Sequence, residues 1–284
     1  PRSTPKPSSA ASDVYKRQCR DFKIMMGLSI KNVSKTWNPE GPEPVHAISN
    51  LSLEVALGEF VVLLGPSGCG KSSLLYIVAG LEEATAGAVK FDALEITAPS
   101  PERCLIFQEA SLFPWLSVRD NITFGLKVNN TPWVTREKRA EELLRQVGLA
   151  GAGERRPHEL SGGMRQRAAL ARALAMQPKV LLMDEPFAAL DIQTRARMQN
   201  HLLSIWKESG ASVLLVTHSI DEALALADRV VVFSARPGRI KAEIRIDRPR
   251  PRDPHSPEMI ELAKRCDALL AEEVDKAFEE QERL

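Results

Sequence analysis

The sequence predicts an α/β fold built on a mostly parallel sheet, and three observations support this prediction. Short apolar runs alternate with stretches of helical periodicity along most of the 284 residues, which is typical of parallel strands joined by crossover helices. The runs Val61–Leu64 and Val180–Met183 are apolar at every position, as expected for strands covered on both faces. A block of helical pattern, about residues 110–177, interrupts the alternation and predicts an inserted α-helical subdomain.

The composition is that of an ordinary globular protein. With 44% hydrophobic and 26% charged residues, the chain has enough apolar material for a core. A formal net charge of +1 argues against a nucleic-acid coat, and we expect no nucleic-acid partner. No apolar run approaches the roughly 20 residues that cross a bilayer, so we expect no membrane span. The four cysteines lie far apart without disulfide or metal spacing, which favours reduced thiols in a cytoplasmic protein.

The first residues differ from the rest of the chain. Pro1–Gln18 is rich in Ser and Pro and has no periodicity, which predicts disorder. We expect residues 1–25 to be a disordered or non-native leader, such as sequence read-through ahead of a start at Met25 or Met26. The segment lacks the apolar region of a signal peptide.

The first elements are strands. Ser29–Trp37 alternates between apolar and polar residues, and a loop rich in Pro and Gly separates it from a second strand. The buried strand Val61–Gly65 leads into a glycine-rich turn and then into Lys71–Gly80, which is compatible with a helix. In the helical block, Arg136–Gly148 and Ser161–Pro178 carry apolar positions at helical spacing and end at Gly and Pro.

Alternation resumes after this block. The predicted elements are strand Val180–Met183, helix Asp191–Ser209, strand Val213–Thr217, helix Ser219–Arg229, strand Val230–Ser234 and an alternating stretch from Ile240 to Ile246. Residues 251–284 are expected to form the rest of a Pro-rich linker and a C-terminal amphipathic helix. Its predicted apolar face is Met259, Ile260, Ala263, Cys266, Leu270 and Val274. The sequence leaves open whether this helix packs on its own domain or lies free.

A glycine-rich loop carries the strongest chemical signal. Gly65–Ser72 reads GPSGCGKS and fits G-x-x-x-x-G-K-[ST] between a strand and a helix, the context of a phosphate-binding loop. Its glycines let successive N–H groups point at phosphate oxygens, while Lys71 can reach the β- and γ-phosphates and Ser72 can ligate Mg²⁺. The alternative is a purely structural turn. The residues expected to bind the phosphates are Gly65, Pro66, Ser67, Gly68, Cys69, Gly70, Lys71, Ser72 and Ser73.

Two acids follow a later apolar strand. Asp184 ends the run VLLMD and Glu185 comes next, so both lie at the carboxyl edge of the predicted sheet. Asp184 can hold Mg²⁺, and Glu185 can polarise an attacking water. A helix cap or a surface pair is the alternative reading of these two residues.

A further motif narrows the class of protein. Leu160–Arg167 reads LSGGMRQR, and at this point the chain closely resembles the ATP-binding-cassette (ABC) ATPases. The resemblance spans about Leu28–Ile246 and rests on five motifs in order, which contain Lys71, Gln108, Ser161, Glu185 and His218. It implies ATP hydrolysis with Mg²⁺. The implied fold is a P-loop NTPase (RecA-like) core with an N-terminal antiparallel β subdomain and the helical insertion, all within residues 26–250.

The resemblance also implies roles for single residues. Glu185, His218 and Gln108 match the catalytic positions of the family, although a lone histidine at a strand end is usually structural. Trp37 matches the aromatic residue that stacks on adenine, and the alternative is a tryptophan of the core or rim. The implied metal ligands are Ser72, Gln108 and Asp184.

The LSGG motif resembles a second phosphate-binding site. Ser161, Gly162 and Gly163 open a helix, and the resemblance implies that two copies pack head to tail, each lending this motif to the ATP of the other. Ala188–Asp191 matches the loop that crosses the dimer interface. Asp191 is also well placed simply to cap the next helix.

Three segments resemble those of importer ATPases of the nitrate, sulfonate and taurine type. They are QEASLFPWLSV (Gln108–Val118), which contains the apolar Phe113, Pro114 and Trp115, the motif RPGRI (Arg236–Ile240), and the linker RPRPRDP with the short terminal helix. This resemblance implies uptake of a small anionic solute through two integral-membrane permease subunits, fed by an extracytoplasmic solute-binding protein. The location it implies is cytoplasmic and peripheral, on the inner face of the cell membrane.

The alternatives are an exporter ATPase and a soluble ABC ATPase. Among the soluble types, the short separation between Lys71 and Ser161 leaves no room for the coiled coil of repair proteins. The single set of motifs argues against translation factors, which carry two cassettes.

Overall fold

The structure is a computed structural model that describes residues 27–188 and 190–282. The predicted leader, residues 1–25, lies outside the described residues. The strands of the described part are β1 (Gly27–Trp37), β2 (Val45–Ala56), β3 (Phe60–Leu64), β4 (Ala86–Phe91), β5 (Leu94–Glu95), β6 (Arg103–Ile106), β7 (Val180–Asp184), β8 (Ser212–Thr217), β9 (Arg229–Phe233) and β10 (Ile240–Arg245). Its α-helices are α1 (Lys71–Ala79), α2 (Val118–Val128), α3 (Trp133–Gln146), α4 (Gly162–Ala175), α5 (Ile192–Ser209), α6 (Ile220–Leu226) and α7 (Pro257–Glu282).

The strands form two sheets. A six-stranded sheet has the order β10-β9-β3-β8-β7-β6 and is parallel except at β10. Every residue of β3, β7 and β8 is buried, because helices cover both faces of the sheet. The second sheet has the order β2-β1-β4-β5 and is antiparallel throughout. The predicted α/β class with an N-terminal antiparallel sheet is confirmed.

Three helices separate β6 from β7. Helices α2, α3 and α4 pack against one another, and their apolar side chains belong to the main core. Strands β4, β5 and β6, which precede them, were not predicted, because the segment 86–106 has too few alternating residues to stand out as strands.

The helix predicted at Ser219–Arg229 is shorter than expected. It ends at Leu226, and Arg229 is the first residue of β9. The guanidinium of Arg229 is buried and pairs with Glu59 at 2.9 Å and with Glu243. These two ion pairs hold Arg229 at the start of the strand. The helical pattern of the sequence cannot reveal pairing between residues so far apart in the chain.

The C-terminal helix packs on its own domain. Cys266 and Met259 of α7 are buried in the main core, but Ile260 and Val274 are 41% and 47% exposed, so the predicted apolar face is wrong at these two positions. The buried stripe instead continues from Cys266 to Glu273. None of the helices in the described residues has the length and apolar character needed to cross a membrane.

Glu273 is a carboxylate within this buried stripe. Its Oε2 accepts a hydrogen bond from the Ala235 N–H at 2.8 Å, and its Oε1 lies 2.9 Å from the ammonium groups of Lys241 and Lys276. Burial raises the pKa of this carboxyl, but the hydrogen bonds outweigh it and hold the pKa at about 2. The charged form of Glu273 thus fixes α7 to the loop after β9.

We predict that Glu273→Gln destabilises the protein at neutral pH by about 1–3 kcal/mol, since the charge is lost and the new NH₂ group must face either the Ala235 N–H or the ammonium groups of Lys241 and Lys276. Because the folded-state pKa is depressed, the stabilisation is complete above the ordinary value of 4.5 and is lost as the pH falls toward 2. Urea denaturation at a series of pH values measures the difference between wild type and variant.

Glu272→Gln is the matched control. Its carboxylate is 68% exposed and pairs with the same Lys241, so we expect a change of less than about 1 kcal/mol. Equal effects of the two substitutions, or an effect of Glu273→Gln that grows toward low pH, would contradict the assignment.

Candidate functional site

Four neighbouring parallel strands deliver the predicted motifs to one edge of the large sheet. The loop Gly65–Gly70 follows β3, His218 follows β8, Glu185 follows β7, and Gln108 lies just beyond β6. The carboxyl ends of parallel strands meet at one edge, and a cleft of about 450 Å³ opens there. It is lined by Trp37, Val45, Ala47, Ser67, Gly68, Gly70, Lys71, Ser72, Ser73, Gln108, Glu185, Val216, His218 and Arg236.

The glycine-rich loop wraps around the Lys71 ammonium. The Lys71 Nζ is buried and donates to the carbonyl oxygens of Gly65 and Pro66 at 2.8 and 2.7 Å. Gly70 has φ +92° and directly precedes α1, so the N-terminus of that helix opens toward the cleft. Gly65, Pro66 and Cys69 do not line the cleft, and the side chain of Cys69 is buried behind the loop.

Asp184 is the last residue of β7 and lies close to Ser72 and Lys71, but it does not line the cleft. It is 5% exposed, and burial raises the pKa of its carboxyl, as does the charge of Glu185. A hydrogen bond from the Ser72 hydroxyl and the charge of Lys71 act in the opposite direction. The hydroxyl and the carboxylate thus lie side by side, as two oxygen ligands of one hard cation would.

Glu185 sits between two polar side chains. Its Oε2 lies 3.5 Å from the Gln108 Nε2, and its Oε1 lies 3.2 Å from the His218 Nδ1. Its backbone has φ +44°, in the left-handed region that a non-glycine residue rarely adopts, and its N–H donates to the Val216 carbonyl at 3.0 Å. The three predicted catalytic side chains are therefore brought together in the cleft.

Trp37 lies at the rim of the cleft rather than in the core. Its Nε1 donates to the Ser73 Oγ at 3.4 Å, which ties the indole to the first turn of α1. The Lys35 Nζ lies 4.2 Å from the ring centroid and is held by Glu82 at 3.0 Å. An ammonium over the ring favours an ordered indole by a cation–π contact.

The LSGG residues lie outside this cleft, at the start of α4. Ser161 caps α4 through its Oγ, which accepts from the Met164 N–H at 3.3 Å, and neither it nor Gly162 or Gly163 lines the cleft. Asp191 caps α5, accepting from the Thr194 N–H at 3.0 Å, so its capping role is confirmed.

Helix α4 also holds the segment around Gln108. The Gln166 Nε2 donates to the Phe107 carbonyl at 3.3 Å, and the Arg172 Nη1 donates to the Ser111 carbonyl at 2.8 Å. One rigid element therefore connects the LSGG residues at its start with the backbone on both sides of Gln108.

Three aromatic residues after Gln108 form an exposed cluster. The ring centroid of Phe113 lies 4.6 Å from that of Phe124 and 5.6 Å from that of Trp115. Trp115 is 68% exposed and Phe124 is 39% exposed, so the cluster presents apolar area to a potential partner.

Sequence reasoning missed one cationic residue of the cleft, Arg236. It follows β9, which lies beside β3 in the parallel part of the sheet. The RPGRI motif marked the segment, but only the strand order places it beside the phosphate loop.

The chain matches a family of known proteins. The family model described as ABC transporter matches residues 48–188. An uncharacterized ABC transporter ATP-binding protein of Methanocaldococcus jannaschii is 46% identical over 90% of this chain and 96% of its own length. A taurine import ATP-binding protein of Roseobacter denitrificans is 47% identical over 78% of this chain and 83% of its own. A nitrate import ATP-binding protein of Synechocystis is 48% identical over 72% and 77%, respectively.

A solved structure agrees in fold. It is a dimeric ATP-binding cassette in a post-hydrolysis state with ADP and Pi bound, and it is 32% identical to this chain. The match covers 77% of this chain and 98% of the solved one, with a TM-score of 0.70.

The backbone at Gly70 yields a prediction. A Cβ at this position would lie 2.5 Å from the Ala47 carbonyl oxygen, so Gly70→Ala must displace the loop. We expect ATP binding to weaken by more than about tenfold, since a shifted loop misdirects its N–H groups. Equilibrium binding of ATP measures the effect.

Gly210→Ala controls for the cost of a positive φ alone. Gly210 has φ +65° with nothing within 4 Å of an added Cβ, so about 1–2 kcal/mol of stability is lost while ATP binding stays normal. Tight ATP binding by Gly70→Ala would show that the close approach of loop and strand is not required.

Proposed function

The chain belongs to the ATP-binding subunits of ABC transporters, a family of ATPases, and from this premise we propose that it energises uptake of a small solute through a membrane permease. One observation supports the ATPase chemistry: the side chains of Glu185, His218 and Gln108 lie together in the cleft beside the phosphate loop. Its direction of transport is inferred from the relatives named as import proteins. The proposal assigns residues 26–250 to the ATPase domain, with about residues 110–177 as its helical subdomain.

In the proposed reaction, water attacks the γ-phosphorus of ATP, the bond to the β-phosphate oxygen breaks, and ADP and Pi leave. Glu185 polarises the water and accepts its proton. The His218 imidazole, whose Nδ1 lies 3.2 Å from the Glu185 Oε1, positions that carboxylate. Lys71 and the N–H groups of the loop stabilise charge on the phosphates, and Trp37 stacks on the adenine.

The residues present fit a bound Mg²⁺. Ser72, Asp184 and Gln108 offer hydroxyl, carboxylate and amide oxygens, which are the ligands this ion prefers. When bound, Mg²⁺ would neutralise charge on the phosphate oxygens.

We propose that a second copy completes the site. Ser161–Gly163 form a helix N-terminus that does not line the cleft of its own chain, so these residues can serve the nucleotide of a partner. Head-to-tail packing of two copies would place each LSGG over the other's ATP. The dimeric state of the related cassette supports this arrangement. Asp191 would lie at the same interface.

The aromatic cluster of Phe113, Trp115 and Phe124 is the proposed docking site for a permease. It is exposed and apolar, and its backbone is held by α4 through Ser111. A permease helix seated there would sense shifts of the segment around Gln108, because the two are a few residues apart. The proposed assembly has two integral-membrane permease subunits.

The proposed cargo is a small anion. Taurine and nitrate, named for two of the relatives, are both small and carry an anionic group. Such an importer would receive its cargo from an extracytoplasmic solute-binding protein. The chain itself would lie in the cytoplasm, on the inner face of the cell membrane.

We predict that Glu185→Gln binds ATP but hydrolyses it roughly 10²–10⁴-fold more slowly, since the amide cannot accept the proton of water. The trapped ATP should then hold two copies together. ATPase assays and size-exclusion chromatography with light scattering measure both effects. Wild-type turnover by this variant would exclude Glu185 as the catalytic carboxylate.

Ser161→Arg tests the shared site separately. It leaves the cleft of its own chain intact, so ATP should bind normally while ATP-dependent dimers fail to form. In the Glu185→Gln background, normal dimers of the Ser161→Arg chain would refute head-to-tail sharing.

The transport assignment is tested with tagged Glu185→Gln chain recovered from its native membranes in detergent and ATP. Mass spectrometry should identify a polytopic membrane protein in the eluate. Recovery of soluble proteins, ribosomes or DNA alone would contradict the assignment and leave the ATPase chemistry standing.

We predict that Trp115→Ala reduces co-purification of this permease at least about tenfold, because an exposed tryptophan at an interface often dominates binding. Its ATP affinity should stay at the wild-type value. Trp133→Ala is the matched control, since Trp133 is 65% exposed on α3 and lies outside the cluster. Equal recovery of permease with both variants would refute the docking site.

A further inference from the structure

A second cationic side chain reaches the nucleotide cleft from the loop after β9. Strand β9 lies beside β3 in parallel register, so the loops that follow them emerge next to each other. The exposed Arg236 lines the cleft together with the phosphate loop. A Cβ added to Gly68 would lie 3.5 Å from the Arg236 Nη2.

Among the residues that the structure describes, the guanidinium of Arg236 makes no hydrogen bond or ion pair, so it is available for a ligand. The ion pairs of arginines in the described residues involve other positions, such as Arg119, Arg229 and Arg250. The Lys71 ammonium, in contrast, already donates to two carbonyl oxygens of its own loop. A guanidinium presents a planar fork of donors that matches phosphate oxygens.

The loop that carries Arg236 is packed tightly against the phosphate loop. The Gly238 N–H donates to the Ala47 carbonyl at 2.9 Å, and the Gly238 carbonyl accepts from the Ser49 N–H at 3.1 Å. A Cβ at Gly238 would lie only 2.1 Å from the Cys69 carbonyl oxygen. Arg236 is therefore presented from a backbone with little room to shift.

The C-terminal helix fixes the same loop from the other side. The Glu273 Oε2 accepts from the N–H of Ala235, the residue immediately before Arg236, at 2.8 Å. Glu273 is 3% exposed, and its other oxygen lies 2.9 Å from the Lys241 ammonium. A residue near the end of the chain thus sets the backbone from which Arg236 extends.

We propose that Arg236 binds the phosphate chain of the nucleotide held in the same subunit, and that Glu273 is its positioning residue. The inference rests on the proposed function, since it concerns the same cleft. It adds a phosphate ligand that the glycine-rich loop does not contain, and it makes ATP affinity depend on the C-terminal helix.

The first test compares Arg236→Ala with Arg239→Ala, using ATP in equilibrium titrations. Arg239 is exposed on the same loop, and its Nη2 donates to the Ser49 Oγ at 3.2 Å, but it does not line the cleft. We expect the Kd for ATP to rise roughly three- to tenfold in Arg236→Ala and to stay within about twofold in Arg239→Ala. The difference in Kd between Arg236→Ala and wild type should become smaller at high ionic strength, because salt screens an exposed ionic contact.

Equal Kd values for the two variants would overturn the inference. Lys71→Ala separates this failure from a failure of the proposed function. If wild type and Arg236→Ala bind ATP equally well while Lys71→Ala no longer binds it, only the role of Arg236 is refuted. If wild type itself does not bind ATP, the proposed function fails with it.

The second test is a double-mutant cycle with Glu273→Gln, at a temperature where circular dichroism shows every variant folded. Glu273→Gln should raise the Kd for ATP alone but add nothing in the Arg236→Ala background, because it acts through that arginine. Lys276→Ala is the control. The Lys276 side chain pairs with the same carboxylate but is 60% exposed, so its removal should leave the Kd for ATP unchanged. Additive effects of Glu273→Gln and Arg236→Ala would refute the positioning role.

Discussion

The parallel alignment of β3, β8, β7 and β6 is the constraint on which the rest of the structure depends. Each strand contributes one residue or loop at its carboxyl end, and their register brings these groups to one cleft. None of the groups is close to another in sequence. Their geometry is therefore a property of sheet packing, and a change in the buried strands would disturb the chemistry without touching a polar residue.

Helix α4 carries the link between this cleft and the outer surface. Its first turn presents the LSGG residues, and its side chains Gln166 and Arg172 bind the backbone on either side of Gln108. The exposed aromatic cluster follows within a few residues. A movement of α4 would therefore act both on the proposed partner site and on the segment that leads to the proposed docking site.

The sequence was sufficient for features encoded locally. The phosphate loop is a contiguous pattern, and Asp184 follows a run that is apolar throughout, so both could be predicted from a few residues. Arg236 could not, because its place depends on β9 lying beside β3, a long-range pairing that no local pattern specifies. The predicted apolar face of α7 is wrong at Ile260 and Val274 for a similar reason. These two apolar residues are exposed, while the charged Glu273 is buried.

The backbone at Glu185 has a consequence for how such a protein changes over time. Its φ of +44° is one that glycine or asparagine adopts at lower cost, and strain of this kind amounts to about 1–3 kcal/mol. Replacement by glycine would thus relieve strain while removing the carboxylate. The backbone at this position therefore favours a more stable but inactive protein, and the carboxylate proposed for catalysis is kept at a cost in folding stability.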